Sequence, residues 1–267
     1  MKHCFIVPEA YINPIGMNSD MHLVLAHEIL KRKTYTARYR ALKKSKKHFI
    51  ILDNGAFELG KPLPTKKLIE AAKIVNADEI VAPDIRGNLS ATLKAVKRFI
   101  MFLRIYHEKK FSVAGVVQGS SLDECIKCIA EYQINPNIST VCIPMIDPIS
   151  DIHSWIKDKN TRIIQNRLYL LKGMSRMFAP KPVHLLGLRN PIELTLAKQF
   201  DFVRSNDSSS AFIHGMNLRL FDNKYGLIGD KEKKLLDFDI DNLTSQQRGA
   251  IEINVQQILS YIGDDNA

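Results

Sequence analysis

Apolar and polar positions along the chain fall into two alternating patterns. Short, nearly unbroken apolar runs rich in β-branched residues occur at CFIVP (4–8), FIILD (49–53), EIVAPD (79–84) and SVAGVVQG (112–119). TVCIPM (140–145), VHLLGL (183–188) and FDFVRSND (200–207) continue the series. Between them PTKKLIEAAKIVN, LSATLKAVKRFIMFLRIYHEKK, SLDECIKCIAEY and PIELTLAKQF carry apolar residues at helical spacing, and 160–178 is also helical in pattern. Continuous apolar strands alternating with amphipathic helices predict βα units and a parallel sheet covered on both faces. An eighth strand is available in MHLVLAHEIL, where HLVLA reads either as a strand before a basic helix or as helix throughout. Eight units close an α/β (β/α)8 barrel, whereas seven suit an open sheet. The barrel is favoured, because polar residues end almost every strand and neither GxGxxG nor a P-loop is present.

The tail from 215 to 267 breaks this rhythm. KEKKLLDFDIDN reads as a charged loop, and TSQQRGAIEINVQQILSYI as a helix capped by Thr244 or Ser245 and packed across the barrel. At 267 residues the chain suits one large domain of this kind. No apolar window is long enough to span a membrane, and MKHCFIVPEAY lacks the form of a signal peptide, so a cytoplasmic protein is expected. Cys125 and Cys128 form a CxxC, but on the inner face of a helix and with no second pair at zinc-site spacing. Buried thiols and no metal are therefore expected.

Charge changes the picture more. The formal net charge is +10. Lys31, Arg32, Lys33, Arg38, Arg40, Lys43, Lys44, Lys46 and Lys47 crowd one segment without an acid, with Tyr35 and Tyr39 interleaved. Such a block suits a polyanion, nucleic acid before membrane, through counterion release.

In parallel α/β folds chemistry gathers at the C-terminal ends of strands. Those ends carry Asp53, Asp84, Gln118, Met145, Gly187 and Asp207. One strand-end Asp is an ordinary helix cap. Several converging carboxylates repel one another unless they bind something.

LDNGAF, APD, VVQG, HLLGL and ND-SS, in that order over residues 48 to 210, resemble the tRNA-guanine transglycosylase superfamily. The resemblance implies a (β/α)8 barrel that exchanges guanine in a polynucleotide for a 7-deazaguanine base, without a cofactor. It implies catalytic roles for Asp53, in proton handling, and Asp207, as the nucleophile at the sugar C1′. It implies base recognition by Asn54, Gly55, Phe57, Asp84, Gln118, Gly119, Met145, Leu186 and Gly187, with Phe57 and Leu186 sandwiching the base. Asp201 in FDFV also resembles a family nucleophile motif. It lies near a strand start, so the strand-direction rule prefers Asp207.

The chain departs from the tRNA enzymes in three ways. No Cys follows Cys142, so their zinc cluster has no counterpart; Ile143, Pro144 and Met145 replace a Gly-Gly-Leu strand; and SSSAFIHGMN lacks their Arg pair. A short, zinc-free, basic chain is more similar to the DNA-acting branch, the DpdA-like transglycosylases of bacteriophages, whose products protect DNA from restriction. DNA and a free preQ0-like base are then the expected partners, with tRNA the alternative polynucleotide and a silent nucleic-acid-binding barrel the alternative of another class. Of the remaining residues, Trp155 is expected to anchor a surface helix and His184 to be a satisfied core histidine. His214 and Arg219 are placed to meet phosphate.

Overall fold

The eight strands are β1 (Lys2–Phe5), β2 (Met21–Leu25), β3 (Phe49–Asp53), β4 (Glu79–Val81), β5 (Ser112–Val116), β6 (Thr140–Pro144), β7 (Val183–Leu186) and β8 (Val203–Ser208). Most of them are short, nearly continuous apolar runs, whereas β8 carries Arg204, Ser205, Asn206, Asp207 and Ser208 in its six residues. In the computed structural model, which describes residues 1–16, 18–45, 47–108, 110–229 and 236–263, they hydrogen-bond in the order β1-β8-β7-β6-β5-β4-β3-β2. Every paired neighbour is parallel. The two ends, β1 and β2, lie side by side, so the sheet is a nearly closed (β/α)8 barrel.

HLVLA resolves as strand up to Leu25, with helix beginning at Ala26. Parallel pairing with β3 from Met21–Phe49 to Leu25–Asp53 outweighs the local helical option. Between strands lie α1 (Ile12–Gly16), α2 (Ala26–Lys31), α3 (Lys33–Lys44), α4 (Ala56–Leu59), α5 (Thr65–Val75), α6 (Leu89–Ile105), α7 (Leu122–Ile134), α8 (Lys159–Met174) and α9 (Glu193–Ala197). After β8 come α10 (Ser210–Met216) and α11 (Ser245–Ile262). The expected helix in PIELTLAKQF shrinks to five residues, since Pro191 turns the chain late. α11 starts in a reciprocal capping box between Thr244 and Gln247. It packs along α10, α9 and β1. No helix among the described residues is long and apolar enough to cross a membrane.

One irregularity matters for the interior. Val183 pairs with Val203 but His184 with Ser205, leaving Arg204 as the extra residue of a bulge. Arg204 then reaches across the barrel to Glu79 on β4 at 2.6 Å and Thr140 on β6 at 3.2 Å. Ser205 and Asp207, beyond the bulge, both bond His184. Strict alternation would have sent Arg204 and Asp207 to opposite faces.

Candidate active site

β3 delivers Asp53 to the mouth, and the chain then turns sharply. Asp53 Oδ2 accepts from Gly55 N–H at 2.7 Å, and Asn54 Oδ1 from Ala56 N–H at 2.7 Å. These side-chain turns start α4, whose second residue is Phe57. Its ring is 71 % exposed at the rim.

Behind it lies a closed amide–carboxylate network. Asn54 donates to Asp84 Oδ1 at 2.8 Å and to the Ala82 carbonyl at 2.8 Å. Gln118 donates to Asp84 Oδ2 at 2.7 Å and accepts from Gly87 N–H at 2.9 Å. Asn54, Asp84 and Gln118 are all buried. Burial pushes the Asp84 carboxyl up, against the lowering pull of its two amide donors. The Asp84 backbone N–H also bonds the carboxylate, and the Gln118 amide keeps a further N–H.

Asp207 is the penultimate residue of β8 and is buried. Its Oδ1 makes two bonds, at 3.1 Å to Nε2 of His184 on β7 and at 3.0 Å from the N–H of Gly187 just after it. His184 Nδ1 lies 2.8 Å from Ser205 Oγ. His184 is thus buried, as expected of a core histidine, but its partner is the candidate nucleophile, so it belongs to the site. Asp201 is exposed in the turn before β8, away from the mouth.

Asp53 and Asp207 share this mouth. Desolvation, then the charge of Glu58, and also those of Asp207 and Asp84, push the Asp53 carboxyl well above the usual range. Glu58 on α4 is itself raised, by burial first, against a lowering contribution from His27. His27 Nε2 sits 3.3 Å from Glu28, beside Gly55. Glu58 and His27 were not singled out from the sequence. Applying the strand-end rule to HLVLAHE would have found His27, and Glu58 follows Asp53 by one turn of chain. Among the described residues no Lys or Arg lies within ion-pair distance of Asp53, Asp84 or Asp207.

No family model matches the chain, and no curated protein matches it. The site therefore stands on its geometry.

Several expected residues sit elsewhere or do something else. Gly119 is buried against α7, where a Cβ would lie 2.7 Å from Glu124 Cβ and 2.9 Å from Cys125 N. The absent side chain permits α7 to pack this closely. Met145 covers Gly187, its Cε 2.6 Å from where a Cβ would be, and Leu186 is half-buried beside it. Cys125 and Cys128 are buried, free thiols, and burial pushes Cys125 up to about 12. Trp155 lies in a turn, not on a helix, and is 73 % exposed with its indole N–H on the Ile152 carbonyl. A lone ring on a short turn anchors nothing. His214 is fully buried on α10, out of reach of phosphate, and Arg219 bonds the Ile228 carbonyl at 2.7 Å.

The basic block divides. Tyr35 and Tyr39 are buried and form the inner face of α3 with Leu42, so they present no ring to a ligand. Arg32 is held by Glu28 and Asp239, and Lys43 by Asp78 at 2.5 Å. Lys31, Lys33, Arg40, Lys44 and Lys47 are exposed and Arg38 half-buried; Lys46 lies outside the described residues. α3 runs away from the mouth, so Lys44 and Lys47 sit near the strand starts while Lys31 and Lys33 sit near the strand ends.

Proposed function

We propose that this protein is a guanine transglycosylase that exchanges guanine in DNA for a 7-deazaguanine base of the preQ0 type. The observation that carries the reading is the pairing of two unlike carboxylates at one mouth. Asp207 is held by His184 and Gly187 N–H, whereas Asp53 is pushed toward its protonated form. A carboxyl group raised in this way, beside a carboxylate fixed by hydrogen bonds, suits an acid–base partner and a nucleophile.

In the reaction, Asp207 Oδ attacks the sugar C1′ as the glycosidic bond to guanine breaks through an oxocarbenium-like state. Asp53 gives its proton to the departing base. The incoming base returns a proton to Asp53 and attacks C1′, releasing Asp207. Asp84 and Gln118, fixed by Asn54 and Gly87, offer acceptors and a donor to a purine edge. The exposed Phe57 ring offers a stacking face. Exposed Lys31, Lys33 and Arg40 support a polyanionic partner, and the resemblance to phage enzymes supports DNA and a role in evading restriction.

Co-expression with a deazaguanine supply, followed by mass spectrometry of nucleosides from DNA and from tRNA, tests this. Modified deoxynucleosides are expected. Modified tRNA beside unmodified DNA would move the same chemistry to tRNA, and neither product would leave a nucleic-acid-binding barrel.

A further inference from the structure

Gly187 follows β7 with φ +68, a conformation that L side chains rarely adopt. It is held at both of its backbone polar groups. Its N–H donates to Asp207 Oδ1 at 3.0 Å, and its carbonyl accepts from Arg167 Nη1 at 3.0 Å. Arg167 comes from α8, and the same Nη1 lies 3.1 Å from Glu193 Oε1 on α9. Both side chains are 1 % exposed. Burying two charges is costly, and well-packed apolar residues usually hold two helices together at least as well. What apolar residues cannot do is donate to the Gly187 carbonyl. Met145 closes the other side of the glycine, filling the space a Cβ would need.

We propose that Arg167, held in place by Glu193, is a positioning residue for Asp207 and acts through Gly187. The ion pair fixes the left-handed turn, and the turn aims its N–H at the carboxylate. The proposal rests on the transglycosylase reading only for what Asp207 then does.

Full-length protein carrying Arg167→Met/Glu193→Leu tests it, since both charges go and the volume is nearly kept. Arg167→Lys is the conservative companion. Residue-resolved amide hydrogen exchange should show the Gly187 N–H exchanging on the order of tenfold faster in the double variant. The Leu185 and Asn206 amides of β7 and β8 should hold, and Arg167→Lys should restore part of the protection. In guanine exchange the double variant should lose kcat with little change in KM for the polynucleotide, a split that a merely structural pair would not produce. Wild-type protection at Gly187 overturns the proposal. So does a loss shared equally by Leu185 and Asn206, which would report loosening of the barrel. Amide exchange needs no turnover, so the two readings fail separately. Fast Gly187 exchange in a protein that never exchanges guanine would sink the activity and leave the positioning link. Turnover by the wild type with Gly187 unmoved in the variant would do the reverse.

Discussion

The two ends of the barrel carry the same residue types and use them oppositely. At the strand starts each buried or half-buried acid has a cation: Glu79 bonds Arg204 at 2.6 Å, and Asp78 bonds Lys43 at 2.5 Å. At the strand ends Asp53, Asp84 and Asp207 are answered by amides, a histidine and backbone N–H groups instead. Amide and backbone N–H donors hold a carboxylate in place without neutralising it. The acids of the floor are therefore charge-paired, whereas those of the mouth lie close together without a Lys or Arg partner among the described residues, at a cost in electrostatic repulsion.

The sharpest way to break this contrast is to neutralise acids at each end in turn, two at the mouth and one on the floor. Asp207→Asn should cost about 10³-fold or more in base exchange and abolish a covalent adduct on denaturing gels. An adduct that survives would return the nucleophile to Asp201 or another group. Asp53→Asn should slow exchange by about 10²–10⁴-fold, as the loss of an acid–base group does. It should also stabilise the protein at neutral pH. The folded carboxyl is raised, so the native state binds more protons than the unfolded chain between the ordinary carboxylate range and that raised value. Wild-type stability is thus lost as pH rises through this window. The advantage of Asp53→Asn should grow with pH there and vanish below it, which thermal melts across pH would show.

On the floor, Glu79→Leu leaves Arg204 without its carboxylate. Stability should fall by about 3 kcal/mol, a drop of roughly 6–12 °C in Tm, with turnover per folded molecule unchanged. A large loss of turnover there would erase the division between the two ends. The smallest effects are expected on the surface. Alanine at Lys33 or Arg40 should weaken polyanion binding and reduce its salt slope by about one each. Alanine at Lys43, already spent on Asp78, should change stability and leave the slope alone.

Much of the site was legible because strand ends are easy to find. Asp53, Asp84 and Gln118 each follow an apolar run directly, and a parallel barrel gathers such positions whatever else it does. Residues outside that rule were missed or misjudged. His184 sits inside a strand, where no pattern says that its neighbour across β8 is Asp207; that depends on the bulge at Arg204. Gly119 has a packing role that no pattern announced, its missing side chain making room for α7. The basic segment read as one patch, but helical geometry turned its tyrosines inward and paired two of its cations with distant acids.

The sequence by itself determined the parallel α/β architecture, since its alternation of buried strands and amphipathic helices has few other ways to cover apolar surface, while pairing with β3 decided the eighth strand that closes the barrel. It also determined which polar residues stand at the mouth, because strand direction is local. Only the tertiary structure decided what those residues do to one another. Asp84 is clamped by Asn54 and Gln118, Asp207 is aimed at by Gly187, and Gly187 is held by an arginine twenty residues earlier in the chain. Burial and hydrogen-bond geometry set the proton affinity of a carboxylate, and both arise from contacts between strands and helices far apart in sequence.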